Sequence, residues 1–233
     1  MLETPVHSFR KLAYILQEHE PDPFEVVNLE GSAPVVITCD HASNRMPEQL
    51  GNLGLSEPEL SQHIAYDIGS AGVARGLSRL LDAPLVLSCY SRLVVDLNRH
   101  LGDPSSIPET SDEITVPGNI GLTRVQCNER VEELFIPYHN TVSALLEHVC
   151  RKGRVPVMLS IHSFTPEYQG FQRPWQVGVL WDRDPRIARP LVDGLQKNPE
   201  LCVGENKPYH AREPVGYTMD VQAEGNGYPH ALL

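Results

Sequence analysis

The sequence lacks any excess of positive charge. It carries 19 Lys and Arg against 30 Asp and Glu, a formal net charge of −11, and has no basic run. That argues against a nucleic-acid partner, which needs a concentrated patch of cations, and against anionic membrane surfaces. A small anionic substrate stays open, because a few buried arginines make a local positive site. No apolar run approaches the roughly 20 residues of a bilayer-spanning helix. The opening stretch MLETPVHSFRKLAYILQEHE has an early acid and no signal-peptide core. Five cysteines (Cys39, Cys89, Cys127, Cys150, Cys202) are odd in number and scattered, without a C-x-x-C pair. This excludes zinc-knuckle spacing and suits buried thiols in a reducing cytoplasm. There is no internal repeat, no low-complexity tract and no composition break. With 233 residues, 41% of them hydrophobic, the expectation is one domain over residues 1–233 with a full core.

What is present is an alternation of apolar runs and helical patterns. Val35–Thr38 reads as a buried strand that turns abruptly into Cys39-Asp40-His41. Residues 8–19 predict a short helix, 24–29 an edge strand and 61–81 a helix with Ile64, Ile68, Leu77 and Leu80 on one face. In that helix His63 and Asp67, four apart, would share a face near the first turn. Leu85–Tyr90 predicts a strand, continued by an extended segment over 91–100. Residues 101–123 read as a long ordered loop, a lid or pocket wall. Residues 124–150 predict the longest helix, kinked at Pro137. Val155–Ile161 is a second buried strand, followed by a strand at 176–181, a helix at 185–196 and a last strand beginning at Pro229. Strands alternating with helices predict an α/β fold with a mixed, mostly parallel sheet.

Two of these strands end in histidine, TCDHAS at 38–43 and SIHSF at 160–164. Open sheets present side chains from their carboxyl ends into one crevice. Two imidazoles plus one carboxylate, with a position left for water, is a common catalytic zinc arrangement. The carboxylate could come from Asp67, Asp40 or Glu48, and iron(II) uses the same ligand set. A second feature is SRLVVDLNR at 91–99. An arginine fork binds a carboxylate bidentately, and Asn adds a neutral donor. Arg92, Asn98 and Arg99 therefore suit an anionic substrate group, although one of the two arginines is expected to pair with Asp96 as structural glue.

These pieces resemble the N-formylglutamate amidohydrolase family. The likeness rests on DHAS at 40–43, HIAYDIG at 63–69, YSRLVVDLNR at 90–99, PYH at 137–139 and SIHSFTP at 160–166, in that order along most of the chain. The resemblance implies a zinc-exopeptidase-like, three-layer fold with helices on both faces of the sheet. It implies metal-assisted hydrolysis of the amide of an N-formyl or N-acyl amino acid, a small carboxylate-bearing substrate. The family's order of His, carboxylate, His falls on His41, Asp67 and His162, with Zn²⁺ as the expected metal. Its Asn-Arg pair falls on Asn98-Arg99, with Arg92 as an oxyanion or second carboxylate donor. His210, Tyr217 and the 101–123 loop are expected to close the pocket, with Arg173 and Arg212 as further donors. His139 is expected either behind the site or on the helix surface.

Such enzymes use a Glu as general base on a late strand. Here the sequence stops at HALL, where that strand begins, so this Glu is expected just beyond Leu233. Glu224 is the nearest alternative within the sequence. Three other readings are open to the same residues: a non-catalytic binding protein for a carboxylated metabolite, an iron(II) oxygenase, and a thiol hydrolase using Cys39 with His41.

Overall fold

The computed structural model describes residues 15–209 and 216–233. Most of the helix expected over 8–19 lies outside them, as do His210 and Arg212, and the described part, 15–19, is not helical. In chain order the main elements are β1 (Phe24–Val27), β2 (Val35–Cys39), α1 (Ser70–Leu81) and β3 (Leu85–Ser88). Next come α2 (Ile136–Arg151), β4 (Val157–Ser160), β5 (Val177–Val179), α3 (Pro185–Leu195), β6 (Val203–Glu205) and β7 (His230–Leu232).

Five strands form one sheet in the order β1-β3-β2-β4-β7. The last four are parallel and β1 runs antiparallel to β3. The central strands are apolar but for Thr38, Ser88 and Ser160 near their carboxyl ends, because both faces are covered. Ile37 sits level with Leu85 and Leu159 across the sheet, and that face packs on Ala74 and Leu77 of α1. The other face carries Val36, Val86 and Met158 against Val142, Leu145 and Val149 of α2. α3 adds Ala188 and Val192 against Val179 and Ala231. The result is a three-layer α/β fold. No helix among the described residues is long and apolar enough to cross a membrane.

The expected helix over 61–81 forms only from Ser70. A single turn, Glu57–Leu60, precedes it, capped by Ser56 with Glu59. Between them the chain is irregular, and Gly69 sits at φ +85°, which a helix interior does not allow. Asp67 N–H bonds to the His41 carbonyl at 2.9 Å, not to a helical carbonyl. His63 and Asp67 therefore share no helix face.

Residues 91–100 are a chain of tight turns, not an extended segment. β3 already has β1 and β2 as neighbours, so the chain leaving it finds no ladder. Its N–H groups bond to loops instead: Ser91 to Arg45, Arg92 to Ala65, Asp96 to Ser106. Pro137 comes just after a π-helical turn, Val131–Phe135, that joins Arg124–Arg130 to α2. A proline cannot donate to the preceding turn, and a widened turn accommodates that.

Candidate metal centre

β2 and β4 are adjacent and parallel, so the residues beyond each strand emerge at the same end. The pairing runs on past both: Ile161 N–H bonds to Thr38 O at 2.8 Å. Asp40 and His41 leave β2, and His162 follows the end of β4 by two residues, as His41 follows the end of β2. Asp67 is pinned beside them through its own N–H on His41 O and through Ser163 N–H on its Oδ2 at 3.3 Å. The two imidazole centroids are 5.0 Å apart.

Three ligand atoms, one each from His41, Asp67 and His162, lie within 4.8 Å of one another. Asp67 Oδ2 is 2.8 Å from His162 Nδ1 and 3.4 Å from His41 Nδ1. The opposite nitrogen of each ring is backed by an acceptor. His41 Nε2 is 2.7 Å from Asp96 Oδ1. His162 Nε2 is 3.1 Å from Ser160 Oγ and 3.5 Å from Asp40 Oδ2. With the proton held on Nε2, both Nδ1 lone pairs face the centre, the carboxylate-backed arrangement of metal-ligating histidines. His41 Nδ1 is buried and has no hydrogen-bond partner. This orphaned acceptor and the two-nitrogen, one-oxygen donor set fit a divalent metal.

The charges fit as well. Asp40, Asp67 and Asp96 are all buried, and the Arg92 guanidinium reaches two of them, Asp67 and Asp96. Its Nη2 and Nε bond to Asp96 Oδ2 at 2.6 and 3.0 Å, and its Nη1 lies 3.5 Å from Asp67 Oδ1. Even with the Arg99 charge acting on Asp96 from farther away, three carboxylates leave net negative charge, which imidazolium protons or a divalent cation would offset. Burial opposes ionisation of Asp67, yet the His41 charge and the His162 hydrogen bond hold its carboxyl well below the usual range. At Asp40 burial is outweighed by His162, and at Asp96 by Arg92 and then His41. Burial also works against the His162 imidazolium, but Asp40 and Asp67 lift it to about 9.

The cluster forms one end of a cavity of about 260 Å³ that also reaches Arg92, Asn98, Arg99 and Glu224. Asn98 Oδ1 accepts from Thr218 N–H at 3.2 Å, and its Nδ2 lies 3.5 Å from His162 Nε2. Arg99 donates to the Asn98 carbonyl at 2.9 Å and has no carboxylate partner among the described residues. Glu224 Oε1 is 3.5 Å from Arg183 Nε. Tyr217 departs from expectation. Its ring lies among Phe135, His139 and His100 and is not part of the cavity wall. Nor do residues 101–123 line it. They are held instead by Asn119, which donates to Leu93 O and Pro108 O. Glu48 is turned away to His19.

Cys39 is fully buried, its Sγ bonded to Ser70 Oγ at 3.3 Å, and burial pushes its thiol up to about 12. β2 ends at Cys39, so Cys39 and His41 do not share a strand face, and this removes the basis for a thiol nucleophile. His139 is buried, not on the helix surface, and Nε2 bonds to Leu97 O at 2.8 Å, bracing the residue before Asn98. Tyr138 is the group that sequence reading passed over. Its hydroxyl donates to Asp40 Oδ1 at 2.6 Å, and only its place beside His139 in PYH hinted at it.

The chain belongs to the N-formylglutamate amidohydrolase family, whose model matches residues 33–233. Among solved structures it is similar to gene product Atu2144 from Agrobacterium tumefaciens, at 36% identity and TM-score 0.90, covering 94% of this chain and 86% of that one. It shares its fold with the N-formylglutamate amidohydrolase from Ralstonia eutropha, at 19% identity and TM-score 0.72, covering 91% and 85%. No curated protein matches it.

Proposed function

We propose that this amidohydrolase cleaves the amide of an N-formyl or N-acyl amino acid, with zinc held by His41, Asp67 and His162. The observation that carries the reading is the convergence of three ligand atoms within 4.8 Å, each histidine backed on its far nitrogen. When bound, zinc supplies Lewis acidity and a water whose pKa falls toward about 7. The chain's own groups do the rest. Asp96 at His41 and Ser160 Oγ at His162 keep the proton of each ring on Nε2. Arg99 and Asn98 receive the substrate carboxylate, which turns binding into orientation. Arg92, with its Nε edge committed to Asp96, offers Nη1 to the developing oxyanion, and a donor of this kind is worth about 3–4 kcal/mol. Of the acids on the cavity wall, which include Asp182 and Asp220, Glu224 is the one assigned to take the proton from water and return it to the leaving nitrogen. The water oxygen bonds to the carbonyl carbon, the C–N bond breaks, and a carboxylic acid and a free amine leave.

The test is elemental analysis of the protein and of His41→Ala and His162→Ala, with an amidase assay on N-formyl and N-acyl amino acids. About one metal per chain, lost in both variants, and turnover by the parent alone support the reading. A parent that holds no metal after zinc is added back refutes it. Metal without turnover of any amide would reduce the protein to a binding role.

A further inference from the structure

A second cavity, of about 290 Å³, adjoins the first. The two share Asp67, Arg92, Ser163, Phe164 and Tyr209 as a common wall, so the metal ligand Asp67 stands at their junction. Both have aromatic and apolar side chains, Phe164 and Tyr209 being common to the two, and they differ in what each adds. The first adds Arg99 and Lys207, cations without a carboxylate partner among the described residues, together with the acids Asp182, Asp220 and Glu224. The second has Ile68, Phe164, Pro166, Tyr168 and Tyr209. Its cation is Arg92, already held by Asp96, and its His63 lies 3.1 Å from Asp112 Oδ2.

The apolar wall is built, not incidental. The Arg173 guanidinium sits 5.8 Å from the Phe164 ring, 5.0 Å from Tyr168 and 4.9 Å from Tyr209. The same side chain bonds to Thr165 O at 3.1 Å and to the Tyr209 hydroxyl at 3.1 Å. One cation thus ties three rings from two chain segments together.

We infer that this second cavity is the acyl subsite and that it selects a bulky, uncharged acyl group, aromatic or branched, over formyl. The inference rests on the hydrolase reading above and names its substrate class. With the carboxylate end drawn to Arg99 and Lys207, the other side of the scissile carbonyl lies across Asp67 and Arg92. A formyl group is little larger than a water molecule, whose share of liquid volume is about 30 Å³, and would leave this space unfilled. An aromatic acyl group buries its faces against the rings and Ile68.

The experiment compares N-formyl, N-acetyl and N-benzoyl derivatives of one amino acid on the zinc-loaded enzyme, with Tyr168→Ala and Ile68→Ala. Both side chains are partly exposed, at 37% and 54%, so their truncation leaves the core intact. The expected result is kcat/KM at least about tenfold higher for benzoyl than for formyl, with a ratio that falls in both variants. A smaller ratio, or one that neither variant lowers, overturns the inference while leaving the hydrolase reading standing. If no amide is turned over, calorimetric Kd values for the same compounds decide. Tighter benzoyl binding that Tyr168→Ala abolishes upholds the subsite while the hydrolase reading fails. Equal Kd values overturn it.

Discussion

Two buried polar clusters lie on either side of residues 91–99, and they are finished to different degrees. Arg130, 2% exposed, donates to Val94 O at 2.9 Å and to Asn119 Oδ1 at 2.7 Å. Asn119 in turn donates to Leu93 and Pro108 carbonyls. Burial pushes the Arg130 pKa down, yet every one of these acceptors is neutral and no buried side-chain polar atom of the pair lacks a partner. The cluster around His41 is the reverse. It gathers three buried carboxylates, two of them, Asp67 and Asp96, on the Arg92 guanidinium, and leaves His41 Nδ1 and Asp40 Oδ2 without hydrogen bonds. A completed cluster fixes a loop to a helix and asks for nothing more. An open one with surplus negative charge has the character of a cation site, and a bound cation would recover its cost in stability.

The largest effect should separate the two clusters outright. His41→Ala is expected to lose its metal and at least about 1,000-fold in kcat/KM, as losses at a catalytic group run, whereas Asn119→Ala should keep both. Metal analysis and an amide assay on the two proteins read this. Next comes the reverse comparison in denaturant. Asn119→Ala removes the Arg130 acceptor and strands two carbonyls, at about 1–3 kcal/mol for each unsatisfied group. The metal-free His41→Ala protein should unfold with a smaller loss or a gain. Equal losses would mean that both clusters are structural. Asp96→Asn is expected to weaken metal binding by about 10–100-fold in a chelator competition, with Arg92 also losing its ionic partner.

The last effect is that of pH. His162 is raised from 6.5 to about 9 by Asp40 and Asp67 against burial, so its imidazolium stabilises the metal-free protein. That contribution is complete below about pH 6.5 and is lost as pH rises through about 9. Metal binding must displace the same proton, so affinity should strengthen over that interval by up to about tenfold per pH unit. Melting temperature of the metal-free protein and metal affinity should therefore move in opposite directions. A flat metal-free profile would show that His162 is not protonated there.

Much of this was legible along the chain. Val35–Cys39, Leu85–Ser88 and Val157–Ser160 read as buried strands because a parallel sheet covered on both faces needs unbroken apolar runs. Residues just past such runs emerge at the carboxyl end of the sheet, so His41 and His162 could be expected to meet. Pairing of one nearby arginine with Asp96 was also foreseeable from their spacing, and it is Arg92 that pairs. Misreadings came where hydrogen bonds reach far in sequence. The periodicity of Ile64 and Ile68 suggested a helix, but Asp67 answers to His41 across 26 residues. The alternation in 91–100 suggested a strand, but no sheet edge was free to receive it. Residues 101–123 looked like a lid because they are long and rich in Pro and Gly, and Asn119 and Val116 instead anchor them in the interior.

The sequence by itself determined the alternation of strands and helices, the two histidines at strand ends and the net acidity. These are properties of local pattern and composition, and short-range physics writes them directly into the chain. The tertiary structure alone decided that Asp67 joins the histidines while Asp40 and Asp96 stand behind them, that Arg92 pairs with carboxylates and Arg99 with a carbonyl, and that Tyr217 and the long loop do not line the metal-site cavity. Those outcomes depend on which buried donor meets which acceptor, and that is settled only when segments tens of residues apart pack together and each burial must find its partner.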